Sequence, residues 1–327
     1  MKNFWKELKN KHSQNGEPII VLAPMADVTD SAFRRVIAKY GKPDVIWTEF
    51  VSADGLIRAN PKGKAKLMRD LLYSETERPI VAQLFSSNPE YMYSAAKLVR
   101  ELGFDGIDIN MGCPDRSIEK QKAGAAMMKN PRLAREIIRA AKEGVADGGD
   151  AIPVSVKTRI GYNKNELETW LPELLAEKPA LITVHARTRK EMSDVPARWE
   201  HVKRAVEIRD EMGSETLIFG NGDVQDINDA REKARETGAD GVMLGRAIFG
   251  NPWLFADKSV TTKEKLRVLL EHTKLFEELL GDVKSFAVMK KHFKAYVNGF
   301  DGAVELRTKL METNNAKEVE DIIKPLI

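Results

Sequence analysis

The chain has 327 residues, 43% of them hydrophobic and 31% charged, with 52 Lys and Arg against 49 Asp and Glu for a formal charge of +3. This balance describes a soluble globular protein, and with no apolar run near the roughly 18 residues of a bilayer span it argues against a helical membrane protein. Cys113 is the single cysteine, so an intramolecular disulfide and a cysteine metal cluster are excluded, and the mild net charge leaves any nucleic-acid affinity to local patches.

The N-terminus, Met1 to His12, mixes Lys, Glu and Trp without an uninterrupted apolar core. It does not read as a secretory signal, and cytoplasmic residence is the expectation. Short β-rich runs then recur, each ending in small or polar residues and mostly followed by an amphipathic stretch. They are Ile19–Ala23, Val45–Thr48, Ile80–Leu84, Gly106–Ile109, Val154–Lys157, Leu181–Val184, Leu217–Phe219 and Gly241–Leu244. Eight such repeats predict an α/β fold, a (β/α)8 TIM barrel of about 250 residues.

Helix starts are marked by Asn88 before Pro89 and by Asn130 before Pro131, where Asn caps and Pro fits the first helical position. In the first of these helices Tyr91, Ala95, Leu98 and Leu102 share a face expected to lie on the barrel wall, with Gly103 as the stop. Met127 and Met128 are expected in the interior. After Phe255 the pattern changes. Thr261 and Glu264 form a candidate capping box that opens a helical region without further strand runs. Apolar spacings there, Leu266, Leu269, Leu270 and Phe276, then Phe286, Met289, Phe293 and Tyr296, predict a small C-terminal helical bundle. The expected division is a barrel over residues 1–256 and a helical domain over 261–327.

In such a barrel the active site gathers at the C-terminal ends of the strands. Gly222 after the seventh run and Gly245-Arg246 after the eighth suit a phosphate, because glycine lets backbone N–H groups approach and Arg grips bidentately. Were that phosphate part of a flavin, a cation would also be needed near its reducible ring edge. Lys157 is placed to supply it, Gln83 to hydrogen-bond the ring, and His185 to offer a further donor. Cys113 lies on a loop between Gly112 and Pro114, outside any apolar stripe, which favours a proton donor over a buried packing residue. The histidines, His12, His185, His201, His272 and His292, lack the i, i+4 pairing beside a carboxylate that a histidine metal site needs, so no metal is expected.

These motifs resemble the tRNA-dihydrouridine synthases, and the resemblance covers almost the whole chain. It rests on Ala23-Pro24-Met25, Gln83-Leu84-Phe85, Asp108 to Pro114 with Gly124-Ala125-Ala126, Val156 to Arg159, His185 to Arg189 and Gly245-Arg246-Ala247. Lys290-Lys291-His292 and Ala303 to Arg307 extend it into the tail, where it implies an RNA-binding helical domain. It implies FMN-dependent reduction of specific tRNA uridines, with NADPH as reductant, hydride passing from flavin N5 to uracil C6 and Cys113 protonating C5. Pro24, Met25, Gln83, Lys157, His185, Asn221, Gly222, Asp223, Gly245 and Arg246 would then surround FMN, and Asn110 would position the uracil.

On the substrate side Arg159, Arg187, Arg189, Lys190 and Arg198 are candidates to line the mouth against tRNA, and Lys290 and Lys291, with Lys294, to hold phosphate. Residues 259–327 carry 12 Lys and Arg against 11 acids, so only local clustering favours RNA there. The chain departs from the family pattern at Ser117, where a basic residue is common, and at Ser193, Val195 and Arg198. A monomer, with neither membrane nor metal partner, is expected. The weighed alternatives are a small-molecule FMN dehydrogenase of the dihydroorotate or dihydropyrimidine type and a tRNA-binding folding helper.

Overall fold

A computed structural model describes residues 3–327; Met1 and Lys2, the first positions of the expected N-terminus and barrel, lie outside the described residues. Eight parallel strands form the centre: β1 (Ile19–Leu22), β2 (Ile46–Ser52), β3 (Ile80–Phe85), β4 (Gly106–Met111), β5 (Val154–Arg159), β6 (Leu181–His185), β7 (Leu217–Asn221) and β8 (Gly241–Leu244). Neighbours pair in the order β1-β8-β7-β6-β5-β4-β3-β2, and a parallel bridge between Val21 and Val45 brings β1 against β2. The expected TIM barrel is the fold. The strands were legible because parallel strands are covered on both faces and read as apolar runs, except that β2 continues past the expected end at Thr48, through Glu49, to Ser52.

The barrel interior is filled by Ile19, Val21, Val45, Trp47, Val81, Leu181, Phe219 and Met243. Its N-terminal end is plugged by Trp5 from α1 (Phe4–Asn15), with ring centroids 5.8 Å from Trp47 and 5.6 Å from Phe219. Truncating a Trp buried this way to Ala costs about 3–5 kcal/mol.

Around the strands run α2 (Ser31–Tyr40), α3 (Ala53–Arg58), α4 (Pro61–Asp70), α5 (Pro89–Glu101), α6 (Arg116–Lys120), α7 (Pro131–Ala146), α8 (Leu167–Leu175), α9 (Glu200–Glu211) and α10 (Ile227–Thr237). Asn88 Oδ1 accepts from Tyr91 N at 3.1 Å and Asn130 Oδ1 from Leu133 N at 3.2 Å, so both marked starts form as read. The face of α5 is different from the expected one. Met92, Ala95, Ala96 and Val99 are buried, whereas Tyr91, Leu98 and Leu102 are only partly covered. Two apolar stripes run side by side on this helix, and its packing against α7, which periodicity does not record, selects the one centred on Ala95 and Ala96. Met127 and Met128 are buried as expected.

The tail is helical: α11 (Thr262–Leu280), α12 (Val288–Tyr296), α13 (Ala303–Glu312) and α14 (Ala316–Ile323). Thr261 and Glu264 make the capping box, with Glu264 N donating to Thr261 Oγ1 at 3.2 Å and Thr261 N to Glu264 Oε2 at 2.9 Å. Leu266, Leu269, Leu270, Phe276, Met289, Phe293 and Tyr296 are buried, and the apolar core runs without a break from the barrel helices into this region. At that junction Phe33 of α2 stacks on His272 of α11, with centroids 4.9 Å apart. Among the described residues no helix is long and apolar enough to cross a membrane.

Candidate active site

Parallel register sets the polar strand ends side by side. Gln83 lies opposite Asp108, Asn110 opposite Lys157, Arg159 opposite His185, and His185 opposite Asn221. All of these except Asp108 are site residues expected from scattered motifs, and the barrel brings them to one rim.

Gln83 is fully buried between two partners: its Nε2 donates to Asp108 Oδ2 at 2.6 Å and its Oε1 accepts from Asn110 Nδ2 at 3.0 Å. That fixes the amide orientation of Asn110, whose Oδ1 accepts the backbone N–H groups of Gly112 at 3.1 Å and Cys113 at 2.9 Å. The Cys113 carbonyl in turn accepts from Ala125 N at 2.9 Å. The thiol residue is therefore held at both its backbone N–H and its carbonyl, on a half-buried loop beside Phe85, Ile118 and Ala123. Burial raises the Cys113 thiol above its ordinary value, against the pull of Arg159 and Lys157. It is thus a protonated thiol at neutral pH, able to give a proton.

Lys157 Nζ donates to Asn221 Oδ1 at 3.1 Å, and Asn221 Nδ2 to the Met243 carbonyl at 2.7 Å. An ammonium has three N–H groups, so this contact leaves two for a ligand. Burial, with Arg159 nearby, lowers Lys157 to about 8, and Asp108 opposes the shift. His185 Nε2 lies 3.0 Å from Arg187 Nη1; because guanidinium only donates, Nε2 accepts and the ring proton sits on Nδ1. Burial and then the surrounding cations Lys157, Arg159, Arg187 and Arg246 hold His185 well below the usual imidazole range, so the ring is neutral.

The two loops expected to hold a phosphate are joined by Asp223. Its Oδ1 accepts from Arg246 Nη2 at 2.6 Å; its Oδ2 accepts from Ala197 N at 2.8 Å and pairs with Arg187. Gly222 has φ of +126°, and a Cβ there would stand 2.8 Å from the Ala197 Cβ, so no other residue fits. Gly245 is different: a Cβ would meet only Met25 Sδ at 3.7 Å and Ala23 Cβ at 3.8 Å, leaving bare backbone beside Met25. Met25, which follows Pro24, is fixed by its N–H to Thr29 Oγ1 at 2.9 Å. The Arg246 side chain is 65% exposed and keeps donors beyond the Asp223 contact.

The expected substrate-side arginines divide. Arg159 is buried and donates to the carbonyls of Gly112 at 2.8 Å, Thr188 at 3.0 Å and Met192 at 2.8 Å. Arg187 is buried too, on Asp223, His185 and the Val195 carbonyl. Arg189 pairs with Glu119 and Arg198 with Glu191, while Lys190 is exposed. Ser117, at the departure from the pattern, uses its N–H and hydroxyl on Asp115 at the start of α6. Ser193 is exposed and Val195 lends its carbonyl to Arg187. On α12, far along the chain, Lys291 and Lys294 are exposed, Lys290 is partly covered and His292 is buried.

Two features escaped the sequence reading. Asp108 is buried beneath Gln83, takes Ser155 Oγ at 2.6 Å, and is raised by burial to about 6. Its place inside the Asp108 to Pro114 motif was the available signal. The second is the pairing of Glu49, inside β2, with Lys284 at 2.7 Å across 235 residues. No local pattern announces that contact.

The family model described as "Dihydrouridine synthase (Dus)" matches residues 21–326. The chain is 39% identical over 325 residues to a "Probable tRNA-dihydrouridine synthase" of Staphylococcus aureus (strain COL), covering 98% of this chain and 94% of that one. It is equally 39% identical to "Probable tRNA-dihydrouridine synthase 2" of Bacillus subtilis (strain 168), covering 98% and 95%. Among solved structures, a histamine dehydrogenase from Rhizobium sp. 4-9 aligns with TM-score 0.53 at 15% identity, over 79% of this chain and 49% of its own. A 2-naphthoyl-CoA reductase aligns with TM-score 0.55 at 11% identity, over 73% and 49%. The chain thus spans about half the length of each of these two structures, whose likeness is one of fold.

Proposed function

Because the chain belongs to the dihydrouridine synthase family, we propose that it reduces specific uridines of tRNA to 5,6-dihydrouridine, with FMN held at the barrel mouth and NADPH as the reductant. The observation that carries the reading is the pinned, protonated Cys113 on the Asn110 loop, at the same rim as Lys157.

The residues present suit FMN. Lys157 has two N–H groups beyond Asn221, Arg246 has exposed donors, and Gly245 offers bare backbone next to Met25. Gly222, Gly245 and Arg246 would hold the single phosphate, with Asp223 orienting the Arg246 guanidinium. Lys157, Asn221 and the Nδ1–H of His185 would face the ring, with Met25 and Pro24 against it. Gln83 is engaged by both Asp108 and Asn110, so its remaining N–H is what it would offer the flavin. When bound, reduced FMN supplies hydride to uracil C6.

The chain's own part is to place the base and deliver the proton. A uridine in folded tRNA has to leave its stack to reach such a mouth. Asn110 orients it, and Cys113 gives its thiol proton to C5 as charge builds there, the thiolate then regaining a proton from solvent. Arg159 and Arg187 serve this indirectly, holding the loops after β4, β6 and β7 through carbonyls and Asp223. Lys290, Lys291 and Lys294 would meet RNA phosphate along α12, with Lys190 nearer the mouth. Cytoplasmic action follows from that substrate. The test is tRNA from cells lacking this gene: a specific dihydrouridine should be absent and return on complementation, and an unchanged dihydrouridine map would reject the reading.

A further inference from the structure

Lys284 stands in the connection between α11 and α12, yet its ammonium reaches back to the barrel. Nζ lies 2.7 Å from Glu49 Oε2, 3.3 Å from Asp70 Oδ1 and 3.6 Å from Asp27 Oδ1. Glu49 belongs to β2 and is almost wholly buried, at a place where the register against β3 shifts between Trp47 and Phe50. Its other oxygen accepts the backbone N–H of Asp27. Asp27 has φ of +52°, a left-handed conformation that costs a non-glycine residue free energy and persists only when its surroundings hold it.

We propose that Lys284 is a positioning residue, tying the seat of the helical tail to the Met25–Asp27 turn through Glu49 and so setting the rim on which flavin and substrate are aligned. This rests on the function proposed above. The reason lies in what each partner touches. Asp27 is two residues from Met25, the side chain next to the bare Gly245 backbone. Thr48, the neighbour of Glu49, accepts the Gln83 backbone N–H at 3.1 Å, and Gln83 holds Asn110. One ammonium thus bears on both flanks of the mouth.

The charge balance makes the tie one-sided. Asp27, Asp70 and Glu49 surround Lys284, buried Asp30 lies close enough to be felt, and Lys66 is the other cation lining the same cavity of about 340 Å³. Burial drives Glu49 up to about 7 even with Lys284 beside it. Removing the ammonium leaves a buried carboxyl without its partner, which then takes up a proton or draws in water. In either case Glu49 loses the ammonium that holds its side chain in place and accepts the Asp27 N–H more weakly, so the turn is less firmly kept in its left-handed conformation. The tail remains attached through the apolar contacts around Phe33 and His272, so the fold does not depend on this ammonium alone.

The full chain, loaded with FMN, should be compared as wild type, Lys284→Met, Lys284→Arg and Lys284→Met/Glu49→Gln. Two readouts are needed: amide hydrogen exchange across Met25–Thr29, and single-turnover uridine reduction as a function of tRNA concentration. In Lys284→Met the Asp27 amide should exchange at least tenfold faster while β4 and β5 amides keep their rates. Its reduction rate at saturating tRNA should fall at least tenfold with half-saturation changed less than threefold, and Lys284→Arg should restore both. The double variant removes the lone buried charge, so it supplies a folded sample if Lys284→Met is unstable, and it should show the same slow turnover. Unchanged Asp27 exchange and unchanged rate in any folded variant lacking Lys284 would overturn the proposal. A wild-type protein that neither retains FMN nor reduces tRNA uridine would instead overturn the function above, and hydrogen exchange would still decide whether Lys284 holds the turn.

Discussion

Asn110 and Cys113 are joined by a hydrogen bond of 2.9 Å from the cysteine backbone N–H to the asparagine Oδ1, while the Asn110 Nδ2 is anchored on Gln83. The proposed substrate orienter, near the end of β4, and the proposed proton donor, on the loop that follows, are therefore held as one piece. Replacing Cys113 with Ala leaves that backbone bond intact, so FMN retention and NADPH oxidation should persist. Dihydrouridine formation should drop by about 10²–10⁴, the usual cost of losing a positioned acid. Serine should fail as well, since a hydroxyl is a far weaker acid than a thiol. Wild-type single-turnover rates in Cys113→Ala would make it a loop residue only.

Arg246 bridges to Asp223 from an exposed position, so its contribution to folding is small and its proposed use is to hold the flavin phosphate. Arg246→Ala should weaken FMN binding by about 1.5 kcal/mol or more, a tenfold rise in Kd or greater, with little change in the melting temperature of the flavin-free protein. Equal flavin affinity by fluorescence titration would remove Arg246 from the phosphate grip.

Lys157, at about 8 in the flavin-free protein, carries its charge below that pH and loses it above. FMN affinity measured from pH 6 to 9.5 should therefore decline as pH rises through about 8. Lys157→Met should bind weakly at every pH with that step missing. A step that survives in Lys157→Met would assign the titration to another group.

How much of this was legible follows from sequence distance. Most strand ends advertised themselves locally, because a buried apolar run giving way to Asn-Met-Gly-Cys-Pro or Lys-Thr-Arg needs no partner to be read; the end of β2 did not, since Thr48 and Glu49 interrupt the apolar run four residues before its end at Ser52. The register that places Asn110 by Lys157 came with the barrel. Arg159 and Arg187 looked like substrate contacts because Arg at a mouth suits phosphate; only the fold reveals the carbonyls and the carboxylate that occupy them. The buried face of α5 and the Lys284–Glu49 pair were hidden for a related reason: each is decided by an element distant in sequence.

His272 and His292 are fully buried at the barrel–tail junction, their ring centroids 4.6 Å apart, and among the described residues neither ring's nitrogens nor the adjacent Tyr296 hydroxyl finds a partner. Burial lowers both, His292 to about 3, so in the fold they stay neutral where the unfolded chain, at 6.5, takes up protons. The unfolded state binds more protons between those values, so stability is fully present above about 6.5 and is lost as pH falls toward about 3. His292→Phe should flatten that loss by about 1.4 kcal/mol per pH unit in denaturant titrations between pH 6 and 4.5. Parallel pH profiles for variant and wild type would contradict this.

Because the apolar core is continuous between barrel and tail, point changes probe RNA binding more cleanly than truncation. Exposed Lys291 and Lys294, with Lys290, converted together to Glu should weaken tRNA binding without altering FMN content. The salt dependence of binding should become shallower by roughly 0.7–0.9 in log–log slope for each phosphate that is no longer neutralised. An unchanged slope would place the RNA elsewhere.

The most direct test of the central claim is a single-turnover experiment in which the protein is reduced anaerobically by NADPH, freed of excess reductant and mixed with tRNA lacking dihydrouridine. Flavin should reoxidise with about one dihydrouridine formed per flavin at a defined tRNA position, whereas free uridine, uracil or orotate should leave it reduced. Rapid reoxidation by a free pyrimidine, or reoxidation by tRNA without any dihydrouridine, would contradict the account.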